Sequence, residues 1–474
     1  MPSIVGRGDD EEVVPEDDVV VASSEQQQQE EEAPPAAPTL FSLPADVWPE
    51  LLSFLDVFSL MDFAVACPIL ELACKRAISS KKDPDSNGNI IFRSNEELKH
   101  AVAQYCESLQ TRNVELAEWV ARQYGWVMND WNVSQVSDFS CLFRGQTNFN
   151  EFIGDWDMSN ATDLSEMFRD ATTFNQDLSR WNLSNVESMK MMFLNAESFH
   201  QDLGTWDTSK VIIMDGLFQG ATSFNGDISN WNTAKVVYMA HMFEGACQFN
   251  QDISGWDVRT VKTMGSMFRG ASRFNQPLNS WDTSSVTDMS SMFEGATLFH
   301  QPLSNWNMER VKLTNSMFNG ASKFHQDLSS WNTSNVVEMD RMFLGARSFN
   351  GDISTWDTSQ VKTMVAMFHF ATTFNQDISH WNTQNVTNMK RMFCQARCFN
   401  QDISTWDTGN VLDLQYMFHG ARSFHQDLSR WNTAKVLNMG CMFQDATAFG
   451  QDVSSLWTSW KIDPKNPNRN VMGT

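Results

Sequence analysis

The sequence is poor in tyrosine (4) and proline (13), and poorer in basic than in acidic side chains: 34 Lys and Arg stand against 58 Asp and Glu, a net charge of −24. No basic stretch stands out, which argues against nucleic acid as the main partner, because such binding rests on neutralising phosphates. Long apolar runs are missing too. The longest, residues 63–67 and 19–22, fall far below the roughly 18 residues a membrane helix needs, so no membrane span is expected. Residues 1–14 are acidic, with neither a basic n-region nor a small-residue cleavage site, and a cytoplasmic or nuclear location is therefore expected. Cys67, Cys74, Cys106, Cys141, Cys247, Cys394, Cys398 and Cys441 show no Cys-x-x-Cys spacing and no regular register. Buried or stray thiols are expected from them, not a zinc site or a disulfide framework.

What the chain has instead is 34 Phe, 27 Met and 18 Trp, the bias of one unit copied many times. Trp recurs thirteen times from Trp131 to Trp431 at a constant spacing of 25. With Trp as position 1, the unit reads W-[ND]-T-S-x-V-x-x-M-x-x-M-F-x-G-A-x-x-F-[NH]-Q-D-[LI]-S-x. Phe fills position 13 from Phe143 to Phe443 and position 19 from Phe149 to Phe449, which accounts for 26 of the 34.

Val286, Met289, Phe293 and Ala296 exemplify apolar positions 6, 9, 13 and 16, the spacing of one helical face. Thr283 and Ser284 are suited to cap such a helix, and glycine at position 15 to end it. The following stretch, residues 324–331 for instance, alternates in an extended register and reads as a short strand. A unit this small cannot bury two Phe, two Met and a Trp alone, so the copies must stack. The expected fold is an α/β repeat solenoid of about thirteen turns, each with a short helix and a short parallel strand, following a small α-helical region.

Position 20 holds Asn in eight copies and His in four (His200, His300, His325, His425), which predicts a ladder of side chains bonded to backbone. Asp fills position 22 in ten copies. Turn capping is the expected role, with calcium stacked along the ladder as the sharper alternative. A repeated Asp offers the same environment many times over, whereas glycosidase chemistry needs two carboxylates in unlike ones. No unique acid, base or nucleophile stands out, so neither an enzyme nor a bound cofactor or metal is expected.

Positions 5, 7, 8, 10, 11, 14, 17, 18 and 25 vary, should face water, and must carry any specificity. Two features emerge there: an apolar patch of Ile212, Ile213, Val237 and Tyr238, and a basic stripe of Arg347, Arg397 and Arg422 at position 17. A protein partner is the expectation for such a surface, and the chain is expected to be a monomer.

Around the repeats (131–456), the sequence divides into an acidic tail (1–39), a helical segment (40–78), a helical N-terminal cap (90–130) and a C-terminal cap and tail (457–474). In the cap, residues 94–97 form a capping box with Leu98, Val102, Cys106 and Leu109 at helical spacing behind it. A second helix, residues 114–124, closes at Gly125. In the tail, eleven acids against Arg7 predict disorder.

The unit, read as VTDMSSMFEGATLFHQPLSNWN over residues 286–307, resembles the BspA-type leucine-rich-repeat surface proteins, also met as a mycoplasma-type repeat of unknown function. So does the lead-in, with Glu97-Leu98, Ala101-Val102, Tyr124-Gly125 and Trp131-Asn132-Val133-Ser134. The resemblance implies a leucine-rich-repeat-like solenoid with a binding role, and in bacterial members an association with cell surfaces and adhesion. The chain departs from them in showing neither a signal peptide nor a lipoprotein cysteine near its start. Separately, Leu43-Pro44-Ala45-Asp46-Val47-Trp48-Pro49-Glu50-Leu51-Leu52-Ser53-Phe54-Leu55 is similar to an F-box. That likeness implies that Leu43, Pro44, Val47, Leu51, Leu52, Phe54 and Leu55 dock the linker subunit of a cullin ubiquitin ligase, with the repeats as substrate receptor. Pro68 and Leu70 stand where F-boxes commonly have a basic residue and a Trp.

Overall fold

A computed structural model describes residues 91–450. It opens with two helices, α1 (Asn95–Thr111) and α2 (Val114–Tyr124), and a 3-10 turn, Met128–Asp130. The Ser94 hydroxyl accepts from the Glu97 N–H at 3.2 Å, satisfying an orphan donor of the first turn of α1, and the Glu97 carboxylate reaches back to accept from the Arg93 N–H just ahead of the cap at 2.9 Å. Asn113 caps α2 through the Leu116 N–H, and Gly125, at φ 77°, lets the chain leave it. Leu98, Val102 and Cys106 of α1 are buried, as are Val120 and Ala121 of α2. The first copy docks directly onto this pair: Phe92 lies 5.3 Å from the Trp131 ring, and the Trp131 indole donates to the Gly125 carbonyl at 2.8 Å.

From Trp131 onward the chain repeats every 25 residues, and among the described residues the copies contain neither a helix nor a strand longer than one bridge. The helix expected over positions 6–16 does not form, because the backbone turns left-handed twice within that span. Position 11 has positive φ in every copy, from Cys141 (58°) to Cys441 (55°), and so does position 15, as in Gly295 (71°) and Phe370 (59°). A right-handed helix cannot run through such residues. Successive turns replace it: Val286 N–H donates to Thr283, Met292 to Met289, Glu294 to Ser291, Ala296 to Phe293 and Phe299 to Ala296, each to the carbonyl three residues back. The core is nevertheless the expected one, since Val286, Met289, Phe293 and Ala296 are all fully buried. Turns of three residues return side chains inward nearly as often as a helix would, which is why the periodicity found the interior but misread the backbone.

Copies join in two ways. Along positions 7–15 backbone bonds to backbone: Met289 N–H donates to Leu313 at 3.0 Å, Ser291 to Asn315 at 2.8 Å, Phe293 to Met317 at 2.8 Å and Gly295 to Asn319 at 2.7 Å. Parallel bridges link position 8 of every neighbouring pair, from Asp138 to Asn438. The strand expected over positions 19–25 does not form, and side chains make most of the joins there. Asn275 Oδ1 accepts from the His300 N–H at 3.0 Å, Gln301 Nε2 donates to the Asn275 carbonyl at 3.0 Å, and the Trp306 indole to the Leu278 carbonyl at 2.9 Å.

The rung spacing explains the division. Equivalent rings lie 5.6 Å apart at position 13 (Phe268–Phe293), 6.0 Å at position 19 (Phe274–Phe299) and 6.4 Å at Trp (Trp281–Trp306). Direct backbone pairing needs about 4.8 Å. Where the copies splay wider, an Asn, Gln or Trp side chain reaches across.

Candidate functional site

The conserved interior leaves only the outer columns to differ between copies. Positions 5, 7, 17, 18 and 25 are mostly exposed, as expected, whereas 8, 10, 11 and 14 are mostly half-buried, because the closely spaced ladder shields their flanks. The expected apolar patch is assembled: Ile213 and Tyr238 face each other across a parallel bridge, and the Val237 N–H donates to the Ile212 carbonyl at 2.9 Å. Ile212 and Tyr238 are 38% and 43% exposed, and their partners are half-buried at the base. A second patch escaped the sequence reading. Leu412 and Leu437, both at position 7, are exposed on adjacent copies and joined by a 2.8 Å backbone bond. Aligning column 7 by itself would have found it.

Arg347, Arg397 and Arg422 lie exposed along one column. The neighbouring column adds Arg273, Lys323 and, between them, Leu298 at 46% exposure, three residues that nothing within a single copy sets apart.

The position-20 ladder is built as expected, but on the surface. Asn250 Oδ1 accepts from the Asn275 N–H at 2.9 Å and Asn375 Oδ1 from the Asn400 N–H at 2.8 Å. The four histidines turn Nδ1 back to the carbonyl two residues earlier, as His300 does to Leu298 at 3.0 Å. The Asp ladder is a row of turn caps. Asp177 Oδ1 accepts from the Ser179 N–H at 2.8 Å and Asp377 Oδ1 from the Ser379 N–H at 2.9 Å, and these backbone bonds hold both carboxyls below the usual carboxylate range. No group of three or more His, Cys, Asp or Glu converges among the described residues in a way that could hold a metal ion.

At positions 11 and 14 one polar run crosses several copies: Glu244 accepts from His241 Nδ1 at 2.6 Å, Gln219 Nε2 at 3.0 Å and Arg269 Nη1 at 3.1 Å. The bond to Glu244 raises the His241 imidazole above its ordinary value and lowers the Glu244 carboxyl. The six described cysteines are free, and burial pushes the Cys106 thiol up to about 12 and Cys394 to about 11, which keeps them inert. Beside Cys106, a small cleft of about 90 Å³ opens between α1 and the first copy, lined by Leu109, Gln110, Gln146, Asn148 and Phe149. No described helix is long and apolar enough to cross a membrane. The docking residues expected from Leu43 to Leu55, like Cys67 and Cys74, lie outside the described residues.

A family model described as "Mycoplasma protein of unknown function, DUF285" matches residues 120–211, 197–306, 292–401 and 366–468, together well over half of the chain. The chain belongs to the DUF285 family. The four overlapping DUF285 matches cover the laddered region and take in the end of α2, each spanning several of the stacked 25-residue copies. No curated protein matches the chain.

Proposed function

We propose that the chain is a non-enzymatic recognition scaffold, in which a rigid DUF285 solenoid presents an extended face to a protein partner. The observation that carries this reading is the division of labour between columns. Interior positions repeat the same Trp, Phe and Met ladder, while the outer columns change from copy to copy and gather Ile212, Ile213, Val237 and Tyr238 into one partly exposed patch. Within this reading, the F-box likeness of residues 43–55 makes the chain a substrate receptor of a cullin ubiquitin ligase inside the cell. The likeness of the repeat to BspA-type surface proteins supports the alternative, a leucine-rich-repeat-like adhesion protein displayed on the cell surface.

A pull-down with the ligase linker subunit separates the two. The receptor reading expects capture by the intact chain and loss of capture with Leu43→Ala, Pro44→Ala and Leu55→Ala combined. Absence of capture by a folded intact chain, together with surface labelling of unbroken cells, would favour the adhesion protein.

A further inference from the structure

We propose that positions 17 and 18 of the sixth to twelfth copies form a docking strip for an extended acidic polypeptide segment carrying an apolar residue. The proposal rests on the recognition reading and adds the chemistry of a partner to it. Five cations line the strip: Arg273 and Lys323 at position 18, and Arg347, Arg397 and Arg422 at position 17. All five are exposed, and none has an ion-pair partner among the described residues. In a chain of net charge −24, positions 17–21 of these seven copies contain no Asp or Glu at all. The position-7 column is a useful contrast. Its Lys262, Lys312 and Lys362 alternate along the array with Asp288 and Glu338 at position 8, so that face largely neutralises itself.

Three further observations fit a narrow, extended ligand. Equivalent position-19 rings beside the strip step by 6.0 Å from Phe274 to Phe299 and 5.8 Å from Phe399 to Phe424. Same-side residues of an extended chain recur at roughly 6.6 Å, close enough to stay in step over several rungs. Leu298, 46% exposed between Arg273 and Lys323, offers an apolar contact flanked by charge. The backbone beneath is also fixed, since Thr373 Oγ1 donates to the Arg347 carbonyl at 2.8 Å and the Ser423 N–H to the Arg397 carbonyl at 3.2 Å. A nucleic acid fits less well. Asp327, Asp377, Asp402 and Asp427 are exposed at position 22 of the same copies, with Asp352 half-buried among them, and a wide polyanion reaches that column more readily than a single peptide strand does.

The probe is a fluorescein-labelled short peptide of alternating Glu and Ser with one central Leu, titrated against the full chain by anisotropy. Its Gln-for-Glu counterpart and an oligothymidylate of equal charge serve as comparators. Binding of the Glu peptide alone is expected, weakening as salt rises from about 50 to about 200 mM. R347E, R397E and R422E combined should weaken it at least about tenfold, while K262E, K312E and K362E, an equal change in net charge, should change it less than about threefold. Should either triple fail to melt like the parent, the Gln versions replace it. Equal losses in both triples, no binding of the Glu peptide, or tighter binding of the oligothymidylate would overturn the assignment. The linker-subunit pull-down uses residues 43–55, so its outcome stays separate from this one.

Discussion

At position 21 the choice between glutamine and glycine decides how one rung meets the next. Glutamine reaches across through its side-chain amide, as Gln376 Nε2 does to the Asn350 carbonyl at 2.8 Å. In the fourth and ninth copies Gly226 and Gly351 take its place, and the rungs close until backbone bonds directly to backbone: Leu203 N–H to Asp227 at 2.9 Å and Leu328 N–H to Asp352 at 3.0 Å. A Cβ on Gly351 would collide with the Gln326 carbonyl oxygen. Gly351→Ala forces the rungs apart without supplying a bridging amide and should lower stability by about 1–3 kcal/mol in urea unfolding. Gly351→Gln restores the bridge used elsewhere and should lower stability by less. Residue-level chemistry of this kind was largely legible in the sequence. The Asn ladder at position 20 and the turn-capping Asp at position 22 follow from what those side chains can accept, whichever backbone carries them.

Each copy touches only its neighbours, so stability should behave as a sum of copies and interfaces. Deleting residues 306–330 removes one full copy and brings Trp281 against Trp331 in unchanged register. Such a chain should melt cooperatively within about 5 °C of the parent, followed by circular dichroism. Deleting residues 306–318 removes half a copy, places Phe columns against polar ones, and should lower the melting temperature by far more. At this scale the sequence was less informative. An apolar recurrence of three and four residues reads as a helix, and nothing in it announces that Ser291 or Arg341 will adopt φ of 54° or 57°. Only glycine at position 15 hinted at a left-handed turn, and Phe370 and Gln395 occupy the same conformation without it. The alternation around Asp327, Leu328 and Ser329 likewise comes from a cap, a buried anchor and a capped amide, not from a strand.

On the scale of the whole molecule, a uniform interior makes the exterior interchangeable, and recognition can be written on it copy by copy. The basic stripe and the apolar patch were both visible as departures from the repeat. Leu298 and the Leu412–Leu437 pair were not, because they become neighbours only when each column is followed along the stack. The most direct measurement is quantitative mass spectrometry of partners captured from cells by the tagged chain and by a variant carrying Ile213→Ser and Tyr238→Ser. Both chains should melt alike, since Tyr238 is exposed and Ile213 half-buried. The account predicts that at least one partner held by the parent is depleted about thirtyfold with the variant, the scale of one aromatic anchor lost from an interface. An identical set of partners at identical levels would contradict it.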